Sequence, residues 1–279
     1  MNIVGHKRSL VSLWFGWLFI KTASLLNLVL SEQLRNHMRK GFAVNLKQHF
    51  KVNCGQSDMF SGNRCFLCAR PCGKHRATCA DCLNDLVLNA SACPKCAKPN
   101  SASRTCADCL HRPWASIDSV CAPFQYLYPA NRLIQHMKFK QGIDAANSLG
   151  RLLGSLSLYS GAPLPDCIIP VPLHSSRLIS RGYNQSVEIA RPLSKELGIP
   201  IDANTCKRNR ATVPQTALPA KKRKQNVHNA FSTAERVSYN HVLLIDDVIT
   251  TGSTINELAR TLRLAGVSRV DVLACARAG

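Results

Sequence analysis

Residues 242–254 decide the fold, and they read Val242-Leu243-Leu244-Ile245-Asp246-Asp247-Val248-Ile249-Thr250-Thr251-Gly252-Ser253-Thr254. Four consecutive apolar residues at the start are typical of an interior strand in a parallel sheet. Two adjacent acids follow at the carboxyl end of that strand, where open α/β sheets bind their ligands. A short loop of hydroxyl residues and one glycine then leads directly into a helix, so the segment predicts a strand, a ligand-binding loop and a helix.

The loop is predicted to hold a phosphate group. It consists of Thr250, Thr251, Gly252, Ser253 and Thr254. These residues offer hydroxyl and backbone N–H donors at the positive end of a helix dipole, and Gly252 lets the backbone approach without a Cβ clash. Because acids would repel a bare phosphate, we expect Asp246 and Asp247 to accept hydrogen bonds from sugar hydroxyls, directly or with Mg²⁺ nearby. The alternative is a buried strand with a hydrated turn and a Ser/Thr helix cap, but all thirteen positions together favour a sugar-phosphate site.

From about residue 117 onward, strand-like and helix-like segments alternate. Predicted strands span 117–126, 167–169, 242–245 and 270–276. Predicted helices begin at Pro129 and after an N-cap at Asp144, and two more span 185–197 and 254–265. Short, nearly continuous apolar strands between helices predict an α/β fold with a mainly parallel sheet flanked by helices, over residues 113–279.

The cysteines indicate a metal-binding module over residues 59–112. Eight of the fourteen form four C-x2-C doublets: Cys65 and Cys68, Cys79 and Cys82, Cys93 and Cys96, and Cys106 and Cys109. Because two doublets complete a tetrahedral zinc site, eight thiolates suffice for two sites. Sequential pairing gives two successive zinc ribbons, whereas a cross-brace would join the first doublet to the third, and spacing alone leaves both open. A disulfide framework or a redox centre is disfavoured in a chain of this size with four tandem doublets.

The charge balance favours an anionic partner. Lys and Arg number 36 and Asp and Glu 16, which gives a net charge of +20 with His neutral. Such a chain suits a nucleic acid, a phosphorylated small molecule or a membrane surface. The acid-free segment 203–234 contains the basic run Lys221, Lys222, Arg223 and Lys224. This run is a solvated helix face, a lid over the ligand or a contact to a DNA backbone, and we favour an anion-binding role.

Residues 1–58 differ from the rest of the chain. The stretch 10–30 is apolar apart from Ser, Thr, Asn and a central Lys21. A membrane span needs ~20 apolar residues, and a central lysine costs roughly 2.5–3.5 kcal/mol on insertion scales. We therefore expect a protein that is not integral to a membrane. Our hypothesis is that this extension lies outside the functional protein, which would then start at Met59, six residues before the first zinc doublet.

The segment 242–254 resembles the PRPP-binding signature of type I phosphoribosyltransferases at every position. The resemblance implies that Asp246 and Asp247 bind the ribose 2′ and 3′ hydroxyls and that the loop from Thr250 to Thr254 binds the 5′-phosphate. It also implies that the loop after the 167–169 strand meets pyrophosphate, which makes Arg177 and Arg181 candidates for that contact. The structural alternative places Asn184 as a helix N-cap and Arg181 on a solvated face.

A narrower resemblance is to the ComF/GntX family. It rests on the zinc doublets, then Pro170-Val171-Pro172-Leu173, then Arg181-Gly182-Tyr183-Asn184-Gln185-Ser186, then the signature, in that order over residues 65–277. The resemblance implies a double zinc-ribbon module with one or two structural Zn²⁺, fused to a type I phosphoribosyltransferase-like domain that binds PRPP with Mg²⁺. Family members are linked to natural transformation and the use of external DNA on the cytoplasmic side. This implies a protein in the cytoplasm or at the inner face of the membrane, with single-stranded DNA and a competence helicase or translocation protein as further partners.

Two functions of different kinds follow. The first is an enzyme that transfers a phosphoribosyl group from PRPP to an acceptor, and the second is a non-catalytic factor that binds single-stranded DNA or a nucleotide in the same pocket. A glutamine-using amidophosphoribosyltransferase is disfavoured, because such enzymes need an N-terminal nucleophilic cysteine after Met removal and residue 2 is Asn2.

Overall fold

The computed structural model describes residues 64–72, 77–100, 104–111, 114–139, 142–156, 163–210, 228–233 and 236–279. The predicted extension over 1–58 and the basic run 221–224 lie outside the described residues. Among those described, no helix combines the length and the apolar composition that crossing a bilayer requires.

The described residues form seven strands and seven helices. The strands are β1 Ser119–Cys121, β2 Phe124–Gln125, β3 Cys167–Pro170, β4 Cys206–Arg208, β5 Phe231–Thr233, β6 His241–Ile249 and β7 Arg269–Arg277. The helices are α1 Ala80–Asn84, α2 Ala107–His111, α3 Ala130–His136, α4 Ile143–Ser155, α5 Ser175–Arg181, α6 Gln185–Leu197 and α7 Ser253–Leu264.

The main sheet is parallel, in the order β1-β7-β6-β3, and β2 pairs with the carboxyl end of β7. The strands β4 and β5 form a separate antiparallel pair. The predicted α/β fold with a mainly parallel sheet and a preceding zinc-ribbon module is therefore confirmed.

Both faces of the sheet are covered. Successive side chains of a strand point to opposite sides, so one strand contributes to the core on each face. In β6, Leu243 and Ile245 pack in one core cluster, with residues of α3, α4 and α6. Val242 and Leu244 pack in the other, with residues of α7 and β5. Each fully buried Leu or Ile side chain contributes about 1.5–3 kcal/mol, so the central strand is fixed in position and its carboxyl end becomes a rigid platform.

The first zinc ribbon shares this core. Leu83 of α1 and Leu86 are buried in the same cluster as the helices α3, α4 and α6. The ring of Phe66 stacks on His136 of α3, with 3.9 Å between ring centroids. This ribbon is therefore packed into the α/β fold rather than tethered to it.

Three boundaries differ from the prediction. The strand predicted over 117–126 is interrupted at Ala122 and Pro123, since proline has no N–H for the ladder. Gly142, not Asp144, is the N-cap of α4, and Asp144 lies in the first turn. The strand β6 continues to Ile249, so the two acids lie inside it rather than after it.

The helix α5 lies within the segment that the resemblance to phosphoribosyltransferases implies is a loop. It buries none of its residues, so it carries no apolar periodicity that a sequence pattern could reveal. The helix begins after His174, whose Nδ1 accepts a hydrogen bond from the backbone N–H of Ser176 at 3.3 Å. It ends at Gly182, which has a φ of 83°. His174 thus caps this helix, in line with a structural role.

Candidate functional site

A cleft of about 550 Å³ opens where the carboxyl ends of β3 and β6 meet α5, α6 and β4. This is the edge at which parallel α/β sheets bind ligands. Its lining consists of Tyr126, Lys138, Val171, Leu173, Arg177, Ser180, Arg181, Gln185, Ser186, Arg208, Asp246, Asp247, Val248, Thr250 and Thr254. Both predicted acids, both predicted arginines and two residues of the predicted phosphate loop are therefore brought together.

The two acids face the cleft rather than the core. The backbone N–H of Asp247 donates to Oδ1 of Asp246 at 2.9 Å, and the backbone N–H of Val248 donates to Oδ1 of Asp247 at 2.7 Å. Burial and the neighbouring Asp247 carboxylate raise the pKa of Asp246 to about 8, against an opposing attraction from Arg208. The Asp246 carboxyl therefore keeps its proton near neutral pH, and a bound cation or a donating hydroxyl would favour its ionised form.

The loop 250–254 has the geometry of an anion cradle. Its helix, α7, starts at Ser253, and Asn256 makes the first intrahelical bond to the carbonyl of Gly252 at 2.9 Å. The first amides of a helix have no partner inside it and point out of its N-terminus. Thr250 and Thr254 line the cleft, while the hydroxyls of Thr251 and Ser253 lie 2.9 Å apart, in contact with each other. The amide of Ser253 already has a weak contact to Oγ1 of Thr251 at 3.4 Å.

Gly252 is required for a reason that the sequence did not reveal. Its φ is +75°, in the left-handed region that favours glycine. A Cβ built on it would lie 2.1 Å from Cη2 and 2.2 Å from Cζ2 of Trp114. The absent side chain therefore makes room for the indole of Trp114, whereas the prediction gave close approach to the phosphate as the reason.

Three arginines also line the cleft. Arg177 and Arg181 come from α5, and Arg208 comes from the end of β4, where it pairs with His174 through a parallel bridge. Burial and the nearby charge of Arg177 lower the pKa of Arg208 to about 10. Its guanidinium lies 5.4 Å from the ring centroid of Phe231. An anionic ligand between these guanidiniums would neutralise their mutual repulsion.

Arg208 is the site residue that sequence reasoning missed. The available signal was a basic residue in an acid-free segment just before the predicted lid. The position of β4 beside α5 depends on residues far away in the chain, through the bridge to His174 and the pairing with β5, so nothing local in the segment shows it.

The segment after α5 is mainly a scaffold. Oδ1 of Asn184 accepts from the backbone N–H of Ser186 at 3.0 Å, which caps α6, and its Nδ2 donates to the carbonyl of Val171 at 3.0 Å. The hydroxyl of Tyr183 donates to the carbonyls of Met137 and Phe139. Asn184 is thus a helix cap, as the structural alternative proposed, whereas Arg181 lines the cleft.

The eight doublet cysteines form two groups in sequential order. Cys65, Cys68, Cys79 and Cys82 make one group and Cys93, Cys96, Cys106 and Cys109 the other, and within each group the sulfurs lie within 4.8 Å of one another. The Sγ atoms of Cys68 and Cys79 are 3.6 Å apart, and those of Cys96 and Cys106 are 3.7 Å apart. Tetrahedral zinc with Zn–S bonds of ~2.3 Å requires sulfurs roughly 3.8 Å apart, so both groups fit the metal.

The two ribbons are copies of one unit. Each contains the string Cys-Ala-Asp-Cys-Leu, at 79–83 and 106–110, a repeat that the doublet spacing alone did not reveal. Each also has an ion pair between a basic residue and the Asp of that string, Arg70 to Asp81 at 2.9 Å and Lys98 to Asp108 at 3.2 Å. The copies differ in their surroundings, because Leu83 is 5% exposed in the core and Leu110 is 70% exposed.

Known proteins show the same two parts. A family model described as a double zinc ribbon domain matches residues 57–110, and one described as a phosphoribosyl transferase domain matches residues 184–278. The DNA utilization protein YhgH of Salmonella typhi is 38% identical over 216 residues, which cover 75% of this chain and 94% of that protein. The Competence protein F of Haemophilus influenzae is 41% identical over 180 residues, 62% of this chain and 78% of that one. The chain belongs to the ComF family.

Two more proteins resemble this ComF-family chain. The YhgH protein of Escherichia coli strain K12 is 36% identical over 216 residues, with the same coverage as the Salmonella protein. The solved glutamine PRPP amidotransferase of B. subtilis, complexed with ADP and GMP, has a TM-score of 0.35 and 22% identity, over 51% of this chain and 30% of that one.

Proposed function

We propose that this ComF-family protein binds PRPP, or a closely related 5′-phosphorylated ribose, in the cleft and that it acts in the use of external DNA. One observation carries the proposal: the paired acids, two residues of a hydroxyl-rich helix N-terminus and three arginines line the same cleft. A ligand that matches these groups has a phosphate, sugar hydroxyls and further negative charge. The names of the YhgH and Competence protein F relatives support the link to DNA.

Each part of the ligand has a partner in this proposal. The 5′-phosphate takes the loop with Thr250 and Thr254, the ribose hydroxyls take Asp246 and Asp247, and pyrophosphate takes the three arginines. Asp246 and Asp247 offer the oxygen ligands that Mg²⁺ prefers, so they would hold the ion if it accompanies the ligand. A cation beside them would favour loss of the proton from Asp246.

Two modes of action remain for the same pocket. In an enzyme, an acceptor would form a bond to the anomeric carbon while pyrophosphate leaves with the bonding electron pair, and Arg177, Arg181 and Arg208 would stabilise that charge. In a binding factor, the pocket would hold a terminal 5′-phosphate and sugar of single-stranded DNA. The ring of Phe139, next to Lys138 of the cleft, is 68% exposed and suits the second mode because bases stack on such rings.

The zinc ribbons complete the proposal. We infer two structural Zn²⁺ per chain, one in each cysteine group, within a module over residues 59–112 that precedes the phosphoribosyltransferase-like domain over 113–279. The convergence of the sulfurs in both groups supports this assignment.

Calorimetric titration of the full chain with PRPP and Mg²⁺ tests the proposal. We expect saturable heat for the wild type and a loss of affinity of tenfold or more in Asp247→Asn, since a hydrogen bond to a charged group is worth about 1.5–3 kcal/mol. The exposed Asp144→Asn variant on α4 is the matched control and should bind as the wild type does. If the wild type gives no heat with PRPP or with ribose 5-phosphate, the proposed site is wrong.

Two further assays separate the modes of action. Release of pyrophosphate on addition of candidate acceptor bases supports the enzyme. A salt-dependent gel shift with 5′-phosphorylated single-stranded DNA that PRPP competes away supports the binding factor.

A further inference from the structure

The phosphate loop has a side that faces away from the cleft, and that side lies against the second zinc ribbon. Trp114 follows α2 and packs against the buried cysteines of this ribbon. Two atoms of its indole ring, Cη2 and Cζ2, lie 2.1 and 2.2 Å from the position a Cβ would occupy on Gly252. Trp114 therefore bridges the second ribbon and the backbone of the loop at the only glycine of that loop.

A second contact runs through Arg277, the last residue of β7. Its Nε donates to the carbonyl of Cys96 at 2.9 Å, and Cys96 belongs to the second cysteine group. Its Nη1 donates to the carbonyl of Ile249 at 3.0 Å and to the carbonyls of Thr250 and Ala278. One guanidinium thus joins the second ribbon to the start of the phosphate loop.

The contact to Thr250 has a consequence for the donors of the loop. In a planar trans peptide the C=O and the following N–H point in opposite directions. Because Arg277 holds the carbonyl of Thr250, the N–H of Thr251 is turned away from Arg277. The orientation of that amide depends on the position of Arg277, which depends in turn on the Cys96 carbonyl.

The burial of Arg277 makes this arrangement rigid. The residue is 5% exposed, and the partners named above are all carbonyl oxygens. A guanidinium presents its donors in a fixed planar fork, so it demands acceptors at set positions. Displacing the Cys96 carbonyl would leave a buried donor without its acceptor, at a substantial cost.

We propose that Arg277 is a positioning residue that couples the second zinc ribbon to the phosphate loop, so that affinity for a 5′-phosphate depends on the folding of Cys93, Cys96, Cys106 and Cys109 around their metal. The inference rests on the proposed function of the cleft. It assigns no such role to the first ribbon, whose described contacts are with α3 and the apolar core.

The first test compares Arg277→Gln with Arg269→Gln. Both variants remove one positive charge from β7, but Arg269 lies at the opposite end of the strand, beside Asp271. We expect Arg277→Gln to weaken ribose 5-phosphate binding about tenfold while its affinity for magnesium pyrophosphate stays within twofold of the wild type. A purely structural role would lower both affinities together. Equal ribose 5-phosphate affinity in Arg277→Gln and the wild type overturns the inference.

The second test needs no variant of Arg277. Coupling between two binding sites is reciprocal. The factor by which ribose 5-phosphate raises the zinc affinity of the second group must therefore equal the factor by which zinc raises the affinity for ribose 5-phosphate. Zinc affinities come from competition with a chromophoric chelator, and Cys79→Ser and Cys106→Ser assign the two groups. We expect a rise of about tenfold in the second group and no change in the first. Equal effects on both groups, or none on either, overturn the inference even if Arg277→Gln does not fold.

Tryptophan fluorescence gives an independent readout. The chain has three tryptophans, so Trp14→Phe and Trp17→Phe leave Trp114 as the single reporter beside Gly252. Its emission should change on adding ribose 5-phosphate and on removing zinc, and unchanged emission in both cases counts against the coupling. Failure of the proposed function is distinguishable, because the wild type would then bind no ribose 5-phosphate at all.

Discussion

Replacing Asp246 by asparagine should stabilise the protein at neutral and alkaline pH. The folded pKa of Asp246 is about 8, whereas an unfolded aspartate has a pKa of about 3.9. Between these two values the folded chain keeps a proton that the unfolded chain has released, so the free energy of unfolding falls as the pH rises. An asparagine has no proton to lose and removes this dependence.

The size of the effect follows from the same shift. The slope is about 1.4 kcal/mol per pH unit well below the folded pKa and half of that at the pKa, so the loss between about pH 6 and pH 8 is roughly 2 kcal/mol. For a folded unit of roughly 150–250 residues, that difference corresponds to about 4–8 °C in Tm. Thermal unfolding followed by circular dichroism at both pH values measures it.

The comparison needs the Asp246→Asn variant, the wild type and Asp144→Asn as the exposed control. The gap in Tm between Asp246→Asn and the wild type should widen from pH 6 to pH 8, while Asp144→Asn follows the wild type. Asp247→Asn should show an intermediate gap, because it removes the like charge but not the burial of Asp246. If the Tm values of the wild type and Asp246→Asn change with pH in parallel, the pKa of Asp246 is not raised in the folded state and our reasoning about the paired carboxylates is wrong.

Three other perturbations test different parts of the site. Gly252→Ala should lower the free energy of unfolding in urea by at least about 2 kcal/mol, from left-handed strain and overpacking, and adding Trp114→Phe should restore part of it; full stability in Gly252→Ala alone would contradict this packing. The affinity for Mg-PRPP should rise roughly eightfold between pH 7 and pH 8.5 as the Asp246 proton leaves, and calorimetry that finds no rise would show that the ligand tolerates the proton. Elemental analysis should find two zinc ions per chain and one in Cys82→Ser, and a metal-free chain with oxidised cysteines would rule out the ribbons.

The sequence was most informative where local pattern and tertiary position coincide. The apolar run of β6 predicted the central strand, since only an interior strand buries both faces of Val242 to Ile245. The helix α6 begins at Gln185 and ends at Leu197, as predicted, and Asn184, which we considered as an N-cap, caps it. In both segments the residues that set the local structure also make the core contacts.

The sequence did not predict the features that depend on residues far apart in the chain. Arg208 joins the cleft because β4 lies beside α5, and Arg277 reaches the phosphate loop because β7 pairs with β6 along its whole length. The pairing of the cysteine doublets likewise needed coordinates, since equal spacings fit a sequential or a crossed arrangement. Each of these depends on which elements are neighbours in space, and a single sequence carries little information on that.

Leu83 and Leu86 of the first ribbon are buried in the core cluster with α3, α4 and α6, so we expect the whole chain to need zinc in order to fold. A zinc-starved cell would translate the polypeptide normally, yet the unfilled first ribbon would expose leucines that chaperones and proteases recognise. Abundance of the protein should therefore track the zinc content of the growth medium at constant messenger level. Truncated expression clones that omit this ribbon should accumulate as insoluble material.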